Sequence, residues 1–190
     1  MGEAVLKLQP LSAEGYLDNE RQGAVKHEYV DGQVYALAGA ADRHNLTAGN
    51  IFFRLRGAAG VDPCRVYMND TKVRIQTDLT SRFYYPDVMV TCDPNDTEDY
   101  FKTSPCLIAE VLSPSTQGTD RREKLPAYQS IPSLEYYLIV EPDERFVELY
   151  RFEKQGDARG WWYHEFRGDG VVKLGCPRLE LPLDDIYEGL

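Results

Sequence analysis

A chain of 190 residues with 43% hydrophobic and 27% charged side chains has the composition of a globular protein and not of a disordered one. Its length fits a single domain, residues 1–190, able to bury its own core. A formal net charge of −10 excludes a tight general DNA binder, which needs a basic surface, and leaves open weak, transient or dimer-dependent contact with nucleic acid.

No apolar run approaches the roughly 18 residues of a membrane span, and no arginine-flanked apolar leader opens the chain. The expectation is a cytoplasmic protein with no membrane contact. The cysteines Cys64, Cys92, Cys106 and Cys176 are scattered without a C-x-x-C pair, which argues against a zinc ribbon or redox motif. Cys92 and Cys106 lie in apolar runs and read as reduced core thiols. Facing positions near paired strand ends could bridge, but a cytosolic setting disfavours it.

The N-terminal alternation Val5, Leu6, Leu8 ends at Pro10, and Ser12 is the expected N-cap of a short helix over Ala13–Leu17. Residues 26–37 read as a hairpin around Asp31-Gly32, a pair suited to a type I′ turn. Glu28 lies on its first strand, on the face opposite His27.

From Asp42 to Ala59 the spacing of Ala48, Ile51, Phe52, Leu55 and Ala59 predicts a helix with one apolar face, Asp42 as its N-cap and Gly57 and Gly60 at its end. His44 projects inward onto that face. Arg65–Gln76 alternates as a strand with a break at Asn69-Asp70.

Two apolar runs then each carry one acid: Asp87 in Tyr84–Cys92 and Glu110 in Cys106–Leu112. An unpaired buried carboxylate is costly, so each invites a proton, a cation or a metal. In an antiparallel register with Thr91 facing Cys106, Asp87 falls opposite Glu110 on one face; a one-residue slip would separate them. Converging carboxylates are how a magnesium site begins.

After the loop Ser113–Gly118, Thr119 caps a second helix containing Asp120, Arg121, Lys124 and Tyr128, with a kink expected at Pro126. Glu135–Val140 and Phe146–Phe152 form another hairpin, and Trp161–Phe166 with Gly170–Leu174 a third. The aromatic strands around Trp161 and Trp162 read as core or dimer surface, not as base-stacking platforms. The order of elements gives a mixed α/β domain rich in antiparallel pairing.

Pro86-Asp87 followed by Glu110-Val111-Leu112-Ser113-Pro114-Ser115 resembles the Uma-two family of restriction-endonuclease-type proteins, within the PD-(D/E)XK nuclease superfamily. Glu28-Tyr29-Val30-Asp31-Gly32, His44-Asn45, Asp120-Arg121 with Lys124, and Pro132-Ser133-Leu134 match as well, and the likeness runs from about Tyr16 to Tyr187. It implies a restriction-endonuclease-like mixed β-sheet flanked by helices, with additional antiparallel hairpins. It implies Asp87, Glu110 and the carbonyl of Val111 as ligands of Mg²⁺ or Mn²⁺, with nucleic acid, DNA foremost, as substrate and a homodimer as the assembly.

The position two after Glu110 is Leu112, where the superfamily motif has lysine; Lys124 on the following helix is then the catalytic lysine, and Arg121 and Lys124 the phosphate contacts. Glu28 either completes the acid cluster or sits on a solvated face, and His44 is either a site residue or a satisfied helix-start histidine. Lys124 either serves the site or only forms an i,i+4 ion pair with Asp120. The expected activity is a metal-dependent endonuclease; the alternative is a noncatalytic binding or regulatory protein that keeps the fold.

Overall fold

Ser12 Oγ accepts a hydrogen bond from the Gly15 amide, and the helix it starts, α1 (Ala13–Gln22), runs past the expected end at Leu17. The computed structural model describes residues 10–60, 63–114 and 117–190; the alternation at Val5–Leu8 lies outside them. Strands β1 (His27–Val30) and β2 (Gln33–Ala36) pair with Val30 facing Gln33. Asp31 and Gly32 between them take φ of 49° and 98°, the left-handed values a type I′ turn requires.

Helix α2 (Asp42–Ala59) occupies the expected span. Its N-cap is Ala41 and not Asp42, which is the first helical residue, where its charge favours the helix dipole. Ala48, Ile51, Leu55 and Ala59 are buried and Phe52 packs beside them. The helix passes through Gly57 and stops at Gly60.

The break at Asn69-Asp70 separates β3 (Arg65–Met68) from β4 (Lys72–Gln76), and the two belong to different sheets. The same happens in the first acid-bearing run. It is not one strand but two, β5 (Ser81–Tyr84) and β6 (Val88–Thr91), with Tyr85-Pro86-Asp87 crossing between sheets. Pro86 forces this, since it has no N–H for a ladder. Asp87 therefore sits at a crossing point, just ahead of β6.

After β7 (Phe101–Lys102) and the fully buried β8 (Pro105–Val111) the chain forms α3 (Gln117–Thr119), a π turn over Asp120–Lys124 and α4 (Leu125–Gln129). Thr119 is helical and caps nothing; helix starts at Gln117, while Ser115 and Thr116 of the expected loop lie outside the described residues. The Leu125 amide bonds the Asp120 carbonyl, five residues back. That register shift places Pro126 in the first turn of α4, where a missing N–H is tolerated, so the helix continues.

Strands β9 (Tyr136–Glu141) and β10 (Phe146–Gln155) form the expected hairpin. The expected third hairpin does not form. β11 (Ala158–Arg167) pairs with β10 along its whole length, and β12 (Val171–Gly175) pairs with β13 (Arg178–Pro182), ahead of α5 (Leu183–Ile186). The alternation of β12, with Val172 and Leu174 buried, is satisfied beneath α2 and not beside the aromatic strand.

The result is a mixed α/β fold with a five-stranded sheet ordered β2-β1-β5-β4-β7, a six-stranded sheet ordered β11-β10-β9-β8-β6-β3, and the β12-β13 pair. β8 and β9 are parallel, joined through the π turn and α4. Both faces of β8 are covered: Leu107, Ala109 and Val111 pack towards α2, Ile108 and Leu112 towards α4. That is why its sequence is a continuous apolar run.

The cysteines are paired, Cys64 with Cys92 and Cys106 with Cys176, and are not the reduced thiols expected. The ends of β3, β6 and β8 and the β12–β13 turn meet at one place, which spacing along the chain could not show. Among the described residues, no helix is long and apolar enough to cross a membrane.

Candidate active site

β6 and β8 run antiparallel with Val88 opposite Ala109 and Met89 opposite Ile108. One step further the register sets Asp87 against Glu110, on the face shared by Met89 and Ile108. The contact is direct at the backbone: the Val111 N–H donates to Asp87 Oδ2 at 2.7 Å. At the other end a bulge between Val90 and Thr91 puts Thr91 opposite Pro105 in place of Cys106, without disturbing the acid end.

Glu110 stands in a row of apolar residues and is 3% exposed. Its Oε1 accepts from the Tyr128 hydroxyl at 2.7 Å and from Lys124 Nζ at 3.2 Å. Lys124, projected inward from the π turn and 4% exposed, also lies 3.0 Å from Glu28 Oε1 and 3.2 Å from Asp120 Oδ1. Three carboxylates from three elements thus share one ammonium group. Glu28 Oε1 also accepts from the Tyr85 amide at 3.3 Å, tying β1 to the crossing segment.

His44, in the first turn of α2, brings Nε2 to 3.2 Å from Asp87 Oδ2. Asp87 Oδ2 is therefore held from two sides. The residues line one cleft of about 470 Å³, bounded by His44, Tyr85, Asp87, Glu110, Asp120 and Lys124.

The electrostatics follow from burial and charge count. Desolvation drives the Glu110 carboxyl well above the usual carboxylate range, Lys124 opposes this, and Asp120, Asp87 and Glu28 reinforce it. Burial alone would lower Lys124, but Glu110, Glu28 and Asp120 outweigh it and hold the ammonium charged well above its ordinary range. Burial likewise would lower His44, yet the hydrogen bond and charge of Asp87, with the Val111 backbone and Asp120, raise it. Four acids, Glu28, Asp87, Glu110 and Asp120, stand beside two basic side chains, Lys124 and His44, so acids outnumber bases in the cluster.

Of the residues expected at a site, Asp87, Glu110, Val111, Lys124, Glu28 and His44 are brought together. Glu28 is on the buried side of β1, not a solvated face, and His44 is engaged with Asp87. Arg121 is not there: its guanidinium turns away to Glu148, at 3.0 and 2.6 Å, and to Glu141, at 3.1 Å. Two participants were passed over as site residues, Asp120 and Tyr128. Asp120, Lys124 and Tyr128 recur every four residues, a spacing that puts all three on one helical face.

A mixed sheet with flanking helices and acids gathered where the chain crosses between sheets is the architecture of a restriction-endonuclease-like protein. A family model described as "Putative restriction endonuclease", Uma2, matches residues 13–183, and the chain belongs to that family. Two proteins of Synechocystis sp. (strain ATCC 27184 / PCC 6803 / Kazusa) are similar to it. "Uncharacterized protein slr1290" is 35% identical over 181 residues, covering 95% of this chain and 93% of the relative. "Uncharacterized protein sll1609" is 33% identical over 164 residues, 85% of this chain and 90% of the relative. Among solved structures, a "putative nuclease belonging to DUF820 from Anabaena variabilis ATCC 29413" has a TM-score of 0.67 over 90% of this chain and 96% of that one, at 17% identity. That likeness establishes the fold.

Proposed function

We propose that this protein is an endonuclease that hydrolyses phosphodiester bonds of nucleic acid, DNA foremost, with Mg²⁺ or Mn²⁺ held by Asp87, Glu110 and the Val111 carbonyl. The observation that supports this reading is the convergence of Asp87 and Glu110 at the end of β6 and β8, where burial first and the neighbouring acids second push Glu110 towards protonation against the pull of Lys124. The donor set fits: carboxylate and carbonyl oxygens suit these hard ions. Among the described residues, two buried atoms there, His44 Nδ1 and Asp120 Oδ1, lack hydrogen-bond partners. Asp120 Oδ1 is 3.2 Å from Lys124 Nζ but out of line for a hydrogen bond, so the contact is electrostatic only.

The bound cation would acidify a water and offset charge on the scissile phosphate. Lys124, kept charged by its three carboxylates, is no general base; it supplies fixed positive charge beside Glu110 and orients the attacking water. His44 and the Val111 amide hold Asp87 in place. Incubating the protein with plasmid DNA and either metal tests the reading. Asp87→Ala and Glu110→Ala should each cost at least about 10²-fold in cleavage, and cleavage that survives both would sink it.

A noncatalytic scaffold is the second reading, favoured by one observation: Lys124 and Arg121, the two cations expected to meet phosphate, are both committed to acids. Calorimetric titration with Mg²⁺ separates the two, because a scaffold without a metal site gives no binding heat. We also propose a homodimer built on the edge strand β11, where Tyr163 is 48% exposed. A monomer in sedimentation at micromolar concentration would contradict it.

A further inference from the structure

At the opposite ends of β6 and β8 from Asp87 and Glu110, four cysteines from four separate stretches converge. Cys64 precedes β3, Cys92 follows β6, Cys106 lies in β8, and Cys176 sits in the turn between β12 and β13. Besides its bond to Cys64, Cys92 Sγ lies 3.2 Å from Cys176 Sγ and 3.6 Å from Cys106 Sγ. The sulfurs of Cys64, Cys92 and Cys176 are all within 4.8 Å of one another. Two disulfides need no such mutual approach; four sulfurs around one point do.

We propose that these four cysteines, when reduced, form a mononuclear tetrathiolate site for a soft divalent cation of the zinc type. Zinc–sulfur bonds of about 2.3 Å set tetrahedral sulfurs about 3.8 Å apart, near the 3.2 and 3.6 Å that separate Cys92 Sγ from Cys176 and Cys106, and binding would draw Cys106 and Cys64 together. An iron–sulfur cluster would hold its ligands much further apart. Cys64, Cys106 and Cys176 are buried and Cys92 is half-buried, which suits a closed structural site with one path of entry. Sulfur ligands select against Mg²⁺ as oxygen ligands select for it, so the two ends of β6 and β8 take different ions.

The two states interconvert by balanced steps. Two molecules of a dithiol reductant pass two electrons and two protons each to the two protein disulfides, yielding four thiols and two oxidised reductants. One Zn²⁺ then displaces the four thiol protons. In the reverse direction two molecules of an oxidised dithiol take four electrons from the four thiolates and four protons from water, becoming two dithiols as both protein disulfides re-form and the ion is released.

The site is tested on the full chain, reduced with a dithiol, loaded with Zn²⁺ or Co²⁺ and desalted under reduction. The expected result is one metal ion per chain, four thiols shielded from a thiol reagent until a chelator is added, and sulfur-to-cobalt charge-transfer absorption. Cys106→Ser should weaken retention more than about tenfold, while Glu110→Gln leaves it unchanged. Should Cys106→Ser fail to fold, the cobalt spectrum of the unmodified chain still identifies sulfur ligation. Four freely reactive thiols with no retained metal, or equal retention by a folded Cys106→Ser chain, or iron with labile sulfide, would each overturn the proposal. None of these readouts depends on nuclease activity.

Discussion

Lys124 Nζ stands 3.2 Å from Glu110 Oε1, delivered by the π turn to a carboxylate near the end of β8. Leu112, two residues after Glu110 and just past β8, is buried in the apolar cluster with Tyr128 and Ile139. The ammonium group thus reaches Glu110 from an element other than β8.

Replacing Lys124 by alanine leaves Glu28, Glu110 and Asp120 facing one another in a desolvated pocket. Breaking a buried pair by removing one partner costs about 3–5 kcal/mol. Urea denaturation at neutral pH should show a loss of this order, shrinking in acid as Glu110 protonates. A loss below about 1 kcal/mol would mean that the ammonium group is not the keystone of the cluster.

The Glu110 pKa is raised in the folded chain above its ordinary 4.5. The folded state therefore binds more protons than the unfolded one between that value and the raised pKa. Stability from this group is fully present below 4.5 and is lost as pH rises through the raised pKa. Thermal melts in chelator should show that decline, and Mg²⁺ should reverse it at the alkaline end. Metal uptake should release a proton, so affinity should climb with pH.

Tyr128→Phe removes the hydroxyl that donates to Glu110 at 2.7 Å. A buried carboxylate oxygen losing a donor costs about 1–3 kcal/mol. With one less bond to its charged form, Glu110 titrates higher still. The pH–rate profile for cleavage should shift to higher pH, with the plateau rate kept; an unshifted profile would separate Tyr128 from the chemistry.

Arg121→Ala is expected to act on stability and not on substrate. The guanidinium is bound to Glu148 and Glu141 and is one-third exposed, so the loss should be about 1–2 kcal/mol. The salt dependence of DNA binding should not change. A slope reduced by about one would instead place Arg121 on a phosphate.

Much of this was legible from residue order. The pairing of Asp87 with Glu110, the limits of α2 and the Asp31-Gly32 turn all follow from local chemistry: strand alternation, a 3.6-residue period and left-handed φ. What was not legible depended on partners distant in sequence. Tyr84–Cys92 reads as one strand because composition says nothing of a crossing between sheets. β12 chose β13 over β11 because α2 needed covering. Arg121 has no visible sequence link to Glu148 on β10, and the meeting of four cysteines separated by long stretches leaves no mark in their spacing. The π turn ahead of Pro126 is a compromise between a helix and a proline that periodicity alone reads only as a conflict.

Lys124 touches Glu28 on the five-stranded sheet and Glu110 on the six-stranded one. It is thus a rivet as well as a charge. Any phosphate that draws the ammonium towards itself must loosen one of those two holds. The seam between the two sheets therefore closes on a single buried ammonium group.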